Sequence, residues 1–330
     1  MRVLVTGATG ALGPSLVKAL TLAGFDVRAL ARRPPASAGP EWCIGDLTDR
    51  ASLDRAVRGM DATVHLAALL HITNPPPELR TAYHDVNVEG TRALTDAASQ
   101  AGVRRLVLAS TTSVYGPTPA PADESTPTAP DSWYAESKLA AETAVLRLHR
   151  PGTFDVSVLR LSAVYGPRIK GNYQRLLHAL AAGRYLPLGP GLNRRSMLHE
   201  DDAAAAFVTA LGHPAAAGRI FNVTDGAPHR LRDIVAAMCA ALGRAEPKLA
   251  LPVIPAIAGV RVLERLARIV GRTPPITAAT LAKYLEDSVV DASRITRELA
   301  FVPRVGLDAG WRSTVRDLRA LGQLPGSTIA

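Results

Sequence analysis

Two side chains with complementary acid–base chemistry lie four residues apart in the segment YAESK. Because a helix brings residues at this spacing to one face, Tyr134 and Lys138 would lie side by side. A phenol, with a reference pKa of about 10, is a poor base at neutral pH, but an adjacent ammonium group and oxidised nicotinamide would lower that pKa. Such a phenol takes the proton of a secondary alcohol as hydride leaves, and it returns the proton during reduction. Many helices contain this pair by chance, so other motifs have to support the chemistry.

A glycine-rich turn directly follows the first apolar segment, RVLVT. The turn, GATGALG, contains Gly7, Gly10 and Gly13 and opens an amphipathic helix. Glycines allow a tight turn, a close approach of the backbone to a pyrophosphate and close packing of the helix on the strand. The N-terminus of the helix presents N–H donors to the anion. A strand before this turn and a helix after it predict a dinucleotide-binding site.

The glycine spacing, together with YAESK, resembles the short-chain dehydrogenase/reductase superfamily in its extended branch, the nucleotide-sugar epimerase/dehydratase type. The resemblance is nearly continuous from Met1 to about Gly226. It implies an enzyme whose third catalytic group is Thr111, at the end of the strand in LVLASTTSVYG, where the hydroxyl would orient the substrate oxygen. Ser110 and Thr112 are close enough that a misalignment by one residue stays open. The resemblance also implies a homodimer.

The same resemblance implies the cofactor contacts. Asp46 would accept a hydrogen bond from the adenine amino group, although a helix N-cap is the alternative role. Small residues follow the fourth strand, where the backbone would pass close to the cofactor, and His65 beside them is expected to be a packed histidine. Leu161 stands where the family usually has proline. The full expected set is Gly7, Thr9, Gly10, Ala11, Leu12, Gly13, Arg32, Arg33, Asp46, Leu47, Leu66, Ala67, Ala68, Asn87, Tyr134, Lys138, Leu161, Ala163 and Val164.

The end of the second strand bears on the choice between NAD and NADP. NAD enzymes usually carry an acidic residue there, which binds the ribose hydroxyls. In FDVRALARRP that place falls on Ala31, and Arg32 and Arg33 follow. Guanidinium groups pair with phosphate through bidentate, charge-assisted hydrogen bonds, so we expect NADP to be preferred over NAD. The alternative is that both arginines only face solvent.

The substrate is expected to be a small molecule, and the sequence leaves its class open. The 4,6-dehydratases of the family have an Asp-Glu pair after the catalytic threonine. Here Thr112 and Ser113, expected at the substrate, replace that pair, so loss of water is not expected. In GLNRRSMLHEDD, Arg195 resembles the arginine that meets the diphosphate of a nucleotide sugar, which favours a sugar-nucleotide epimerase or reductase; a salt bridge to Asp201 or Asp202 is the alternative.

The C-terminal part supports a second hypothesis. Residues 249–270 combine an apolar run with an amphipathic helix, and the ending through PPIT and DASRITRELAFVPRVGLDAG looks like the 3β-hydroxysteroid dehydrogenase branch and its ketoreductase relatives. Such a segment could hold a steroid, an alkyl chain or a membrane surface, or could be an ordinary packed helix. A third hypothesis is a dinucleotide-binding sensor or scaffold without catalysis, against which the Tyr134, Lys138 and Thr111 group argues.

These motifs require a scaffold of alternating strands and helices. Short apolar runs alternate with helix-sized segments, which predicts an α/β fold: a Rossmann-type doubly wound parallel sheet with a smaller, mostly helical C-terminal substrate lobe. We expect residues 1–166 to form the dinucleotide-binding domain, with about 196–226 returning to it, and 167–330 to form mainly the substrate-binding lobe. The segment 116–131, rich in proline, serine and threonine, is expected to be an irregular loop beside the site.

Composition excludes several other classes. Lys and Arg outnumber Asp and Glu by 38 to 29, which attracts anionic ligands, but the basic residues are spread out and do not indicate nucleic-acid binding. Cys43 and Cys239 are too few for a disulfide framework or a cysteine metal cluster, so we expect no metal and a reducing cytoplasm. The opening RVLVTG lacks the basic region, long apolar stretch and cleavage site of a signal sequence, so we do not expect secretion. The apolar run 249–260 is shorter than the about 20 residues that a membrane span needs.

Overall fold

The computed structural model describes residues 1–35, 39–70, 72, 75–118, 121–269 and 277–325. Its strands are β1 (Arg2–Thr6), β2 (Asp26–Ala31), β3 (Glu41–Ile44), β4 (Ala62–His65), β5 (Arg105–Thr111), β6 (Asp155–Leu161), β7 (Ala163–Tyr165), β8 (Arg194–His199), β9 (Ile220–Val223) and β10 (Pro228–Arg230). Its α-helices are α1 (Gly13–Leu22), α2 (Arg50–Val57), α3 (Leu79–Tyr83), α4 (Gly90–Gln100), α5 (Trp133–Arg147), α6 (Asn172–Ala181), α7 (Glu200–Gly212), α8 (Leu231–Leu242), α9 (Val253–Ile269), α10 (Ala278–Leu285), α11 (Ser293–Leu299) and α12 (Leu307–Ala320).

A seven-stranded parallel sheet has the order β3-β2-β1-β4-β5-β6-β9. Its central strands are continuous apolar runs because both faces are covered by helices. The strand order reverses next to β1, and in such sheets ligands bind outside the carboxyl ends of the strands at this point. The predicted α/β, Rossmann-type fold is confirmed.

One apolar core lies on each face of this sheet. On one face, Leu16 of α1 and Phe207 of α7 are fully buried against the strands. On the other face, Leu53 of α2, Leu94 of α4 and Val145 of α5 form the second core. Helices on both faces make the sheet doubly wound, and their packing fixes the position of the carboxyl ends of the strands.

The chain divides into two compact units, and the sheet lies in the first, which comprises residues 1–164, 198–226 and 290–305. The second unit comprises 165–197, 227–289 and 306–330, and it is largely helical, as predicted for the C-terminal part. Its β8 and β10 pair antiparallel. The sequence did not predict β7, β8 and β10, because runs of three to six residues give a weak periodic signal.

Two segments singled out in the sequence fall partly outside the described residues. The described part of 116–131 forms no helix or strand element, in agreement with the expected loop, while 119–120 lie outside. The amphipathic helix is present as α9, but Val270 and most of PPIT lie outside the described residues. Within the ranges that the structure describes, no helix is both long enough and apolar enough to cross a membrane.

Candidate active site

The turn after β1 has a backbone that only glycine fits. Gly7 has a φ of 73°, and its carbonyl accepts a hydrogen bond from the Gly10 N–H at 2.9 Å. A Cβ atom on Gly7 would lie 2.7 Å from the backbone nitrogen of Ala67, and one on Gly13 would lie 2.2 Å from the carbonyl oxygen of Ala8. Glycine at these places lets the turn close against the end of β4 and lets α1 begin close to β1.

The outer surface of this turn is accessible and lies at the start of a helix, as a pyrophosphate-binding site requires. Thr9 and Gly10 are exposed, and Ala11 and Leu12 are half-buried where α1 begins. The side chain of Leu12, at the N-cap position, has no polar atom to bind the first backbone N–H groups of the helix. Backbone N–H groups at such a helix start bind anions, so the residues fit the phosphates of a dinucleotide.

A series of hydrogen bonds connects the ends of β1 and β4 with a π-helical turn and α4. Thr6 Oγ1 lies 2.6 Å from His65 Nδ1 and accepts from the Ala67 N–H at 3.3 Å. On the other side, His65 Nε2 lies 2.9 Å from Thr91 Oγ1, whose hydroxyl donates to the Asn87 carbonyl at 2.7 Å. Because the Thr91 proton is used in that bond, Nε2 must donate, and Nδ1 accepts from Thr6 when the imidazole is neutral. His65 is thus buried between hydrogen-bond partners, as expected for a packed histidine.

Asn87 lies in a π-helical turn, His84–Glu89, between α3 and α4. Its Oδ1 accepts from the Leu69 N–H at 2.7 Å, and its Nδ2 donates to the Leu69 carbonyl at 3.0 Å and to Ser137 Oγ at 2.9 Å. The carboxamide thus ties the chain after β4 to α5, next to Lys138. Single π-helical turns interrupt helices frequently at functional sites.

Helix α5 carries the predicted acid–base pair. It begins after Ser132, whose hydroxyl accepts from the Ala135 N–H at 3.3 Å. The ring of Tyr134 meets that of Tyr83 edge to face, with centroids 6.2 Å apart. Burial, and then Tyr83, raise the pKa of Tyr134 to about 12. The lowered pKa expected from the sequence is that of Tyr134 beside Lys138 and oxidised nicotinamide, and in the chain itself the loss of solvation dominates.

Lys138, one turn further along α5, is 3% exposed. Burial lowers its pKa from 10.5 to about 8, and the carboxylate of Glu142 opposes that effect. Burial and the charge of Lys138 together lower the pKa of His65 to about 3. The ammonium group is therefore electrostatically coupled both to the end of β4 and to the next turn of its own helix.

Thr111 ends β5, beside Leu161 at the end of β6. Its hydroxyl donates to Ser113 Oγ at 3.1 Å and accepts from the Ser113 N–H at 3.1 Å. Thr112 and Ser113 lie in the 3-10 turn that follows, and neither carries a carboxyl group. The segment therefore offers hydroxyl groups at the carboxyl edge of the sheet.

A buried polar cluster that the sequence did not reveal lies beneath these residues. Glu142 pairs with Arg160 at 2.6 Å and accepts a hydrogen bond from Ser110, and all three side chains are buried. The guanidinium group of Arg160 stands 4.9 Å from the ring centroid of Tyr115, whose hydroxyl donates to Asn222 at 2.8 Å. Two signals could have found it: an arginine within the apolar strand DVSVLRL, and a carboxylate four residues after Lys138.

The end of β2 carries the two arginines expected to choose the cofactor. The strand ends at Ala31, as predicted, and Arg32 and Arg33 are exposed. Arg32 Nε lies 3.8 Å from Asp46, so this carboxylate faces the same turn. Hydrogen bonding from the Thr48 backbone is the main cause that lowers the pKa of Asp46. Asp46 does not cap α2, because the N-cap of that helix is Asp49.

The remaining expected cofactor residues of the first unit lie at or after the carboxyl ends of its strands, with different exposure. Leu47 is buried in the second core, so its side chain faces inward and only its backbone can meet a ligand. Leu161 is also buried. Half-buried side chains are those of Leu66, Ala67, Ala68, Ala163 and Val164.

Arg195 lies in the second unit, on β8. Its Nη2 donates to the Tyr284 carbonyl at 2.7 Å, and the hydroxyl groups of Tyr284 and Tyr185 are 2.7 Å apart. Burial raises the pKa of Tyr173 to about 12, against the opposing charge of Arg195. Arg195 therefore lies among tyrosine side chains of this unit.

Comparison with known proteins identifies the family. The model of the NAD dependent epimerase/dehydratase family matches residues 3–224. The chain belongs to this family. Its relatives include the N-acetyl-alpha-D-glucosaminyl-diphospho-ditrans,octacis-undecaprenol 4-epimerase of Escherichia coli O157:H7, 28% identical over 95% of this chain and 94% of that protein. They also include a 4-hydroxy-2-methyl-3-oxo-4-farnesyl-3,4-dihydroquinoline-1-oxide ketoreductase of Stigmatella aurantiaca, 30% identical over 94% and 95%.

Among solved structures, MoeE5 in complex with UDP-glucuronic acid and NAD is similar, with a TM-score of 0.78 and 26% identity over 97% of this chain and 100% of that one. This epimerase/dehydratase family member thus matches nearly the whole length of these three proteins. Membership makes it an enzyme of nicotinamide dinucleotide chemistry, and its relatives act as epimerases, dehydratases and reductases.

Proposed function

We propose that this enzyme moves a hydride to or from a secondary alcohol carbon of a sugar carried on a diphosphate, with nucleotide sugars as the first class, as an epimerase or reductase. The observation that carries the proposal is the pair of half-buried Tyr134 and buried Lys138 on α5, flanking Ser137, which Asn87 binds, together with a first turn that fits a pyrophosphate. Relatives that act on or bind diphosphate-linked sugars support the substrate class, and Arg195 of the second unit is the residue we propose for the diphosphate.

Each residue of the proposed catalytic group has one task. Tyr134, whose raised pKa keeps its proton at neutral pH, donates that proton to a ketone oxygen and recovers it from an alcohol. The ammonium group of Lys138 favours the phenolate that donation leaves behind. Thr111 holds the substrate oxygen by a hydrogen bond. A bound nicotinamide dinucleotide supplies the hydride acceptor or donor.

Elimination of water is not part of the proposal. The turn that follows Thr111 carries hydroxyl groups at Thr112 and Ser113, and a hydroxyl does not serve as the carboxylic acid or base that dehydration needs. We propose that these two side chains contact the substrate. We therefore do not propose for this chain the dehydratase reaction that is named for its Streptomyces griseus relative, a dTDP-glucose 4,6-dehydratase.

A second candidate is a ketoreductase acting on an apolar substrate. It is favoured by the ketoreductase of Stigmatella aurantiaca, since this chain matches 95% of the length of that protein. The two candidates use the same catalytic group and differ in what the second unit binds. Turnover with UDP-glucose or UDP-N-acetylglucosamine supports the first, and turnover only with steroid or β-keto substrates supports the second.

The experiment that tests the catalytic group is the Tyr134→Phe variant. We expect turnover to be lost while the affinity for dinucleotide, measured by fluorescence titration, stays within a few fold, because the phenol hydroxyl serves proton transfer. Unchanged turnover would exclude Tyr134 as the proton donor. Binding of dinucleotide by the wild type without turnover of any substrate of either class would indicate a sensor or scaffold.

We propose NADP as the preferred cofactor, bound at its 2′-phosphate by Arg32 and Arg33. The support is the absence of a carboxylate at Ala31, where β2 ends, together with two exposed guanidinium groups. Replacing both arginines by alanine should weaken NADPH binding by about tenfold or more, since the loss of even one charge-assisted bond costs about 1.5 to 3 kcal/mol of binding free energy. NADH binding should change little. Equal loss for both cofactors, or tighter NADH binding by the wild type, would remove the case for NADP.

A further inference from the structure

Helix α9 turns an apolar arc toward solvent. Val262 and Leu266 are 54% and 53% exposed, and Leu263 beside them is 58% exposed. Half-buried residues recur every three or four positions between Val253 and Ala267. They therefore form one face of the helix, opposite the apolar arc, and this face packs on the second unit. Isolated exposed leucines are ordinary, but several on one arc form a patch that usually has an occupant.

Charge is distributed unevenly around the same helix. Arg261 and Arg265, one turn apart, are exposed at one edge of the apolar arc. The carboxylate of Glu264 points to the packed side, where it accepts a hydrogen bond from the Ala278 N–H at 2.9 Å. Between Val253 and Ala267 the exposed residues are thus apolar or basic, with no acidic residue among them.

We propose that this arc of α9 docks on a membrane surface that contains anionic phospholipid. An interfacial helix inserts its apolar face at the level of the lipid headgroups and places basic side chains at the phosphates. The 17 residues of α9 form about 25 Å of helix, enough to lie along such a surface. The net charge of +9 adds long-range attraction to an anionic bilayer. The proposal does not depend on the proposed catalytic function.

Vesicle sedimentation of the full chain tests it. The probes are vesicles of phosphatidylcholine alone and of phosphatidylcholine with an equal amount of phosphatidylglycerol. We expect stronger binding to the anionic vesicles, weakened by salt. Val262→Gln/Leu266→Gln should lower the partition coefficient about tenfold or more. The matched control Leu22→Gln/Val302→Gln, which alters residues 79% and 62% exposed in the first unit, should not.

The charge contribution has its own variant. Arg261→Gln/Arg265→Gln should weaken binding to the anionic vesicles about thirtyfold, because each basic residue contributes about 1 kcal/mol near such a surface. Arg104→Gln/Arg316→Gln removes the same charge from other exposed positions and should change binding far less. Circular dichroism checks that each variant is folded.

Three results would overturn the proposal. Wild-type protein could stay in the supernatant with both kinds of vesicle, or the α9 variant could sediment like the wild type. Alternatively, the wild type could self-associate through this arc, which sedimentation velocity would show as a dimer that Val262→Gln/Leu266→Gln dissociates while vesicle binding is unchanged. Failure of vesicle binding would leave turnover of soluble substrates as it was, so the two proposals fail separately.

Discussion

The buried amine of Lys138 should make the protein less stable than a variant without it. Its pKa is 10.5 in solvent and about 8 in the folded chain. At about 1.4 kcal/mol for each pH unit, this difference corresponds to about 3 kcal/mol of lost stability while the amine is charged in both states. Lys138→Met keeps the length of the side chain and removes the charge, so we expect it to be more stable at pH 7 by about that amount.

The dependence on pH separates this effect from simple packing. Because the folded state has the lower pKa, the unfolded chain binds more protons between about pH 8 and 10.5, and the stability of the wild type rises through that window. The difference between variant and wild type should therefore be full at pH 7 and fade toward pH 10.5. Any gain from burying the methionine side chain is independent of pH and would remain.

Urea unfolding followed by tryptophan fluorescence measures the difference at pH 7 and near pH 10.5. Lys18→Met is the matched control, because Lys18 is exposed on α1 and its replacement should show no such pH dependence. A Lys138→Met variant that is less stable at pH 7, or a difference of equal size at both pH values, would refute the burial of a charged amine. Loss of turnover in the same variant would show that the destabilising charge serves the reaction.

Three further changes test the framework of the site by urea unfolding. Gly7→Ala should lower the free energy of unfolding by clearly more than the about 1 to 2 kcal/mol that a left-handed alanine costs, because its Cβ meets backbone at 2.7 Å. The same variant should weaken dinucleotide binding. In the control Gly24→Ala, where the new Cβ has no atom within 4 Å, only the cost of the backbone strain should appear. Glu142→Gln should lower the free energy of unfolding by about 3 to 5 kcal/mol, because the buried charge of Arg160 loses its partner. The double variant Glu142→Leu/Arg160→Met removes both charges and should regain part of that stability. Asn87→Ala, which removes three hydrogen bonds, should cost about 2 to 3 kcal/mol.

Local patterns were sufficient for the scaffold and for the turn that follows β1. The run LVLA within β5 is continuously apolar because the middle of this strand is buried, and that property can be recognised without knowing its neighbours. The glycines of GATGALG likewise reflect contacts within one strand–turn–helix unit, apart from the approach of Gly7 to Ala67. Features fixed within about twenty residues of chain are the ones that the sequence predicts.

Features that depend on pairing between distant segments were missed. Glu142 and Arg160 meet only because β6 lies beside β5 and α5 packs on both. The sequence predicts a lowered pKa of Tyr134 beside Lys138 and bound oxidised nicotinamide, whereas in the chain itself burial, and then Tyr83 of α3, raise that pKa. Spacing along one helix gives the neighbours of a side chain on that helix, whereas solvation is set by every element that packs against it.

The charge at the candidate site results from three groups acting together. A protonated His65 would place a second cation near Lys138 and lower the pKa of the amine further. Burial, and then the charge of Lys138, lower the pKa of His65 to about 3, so the imidazole is neutral at pH 7 and that effect is absent. Glu142 acts in the same direction from the other side, since its carboxylate raises the pKa of Lys138. The chain thus keeps an ammonium group buried at neutral pH at a cost in stability, which the catalytic role proposed for Tyr134 and Lys138 would account for.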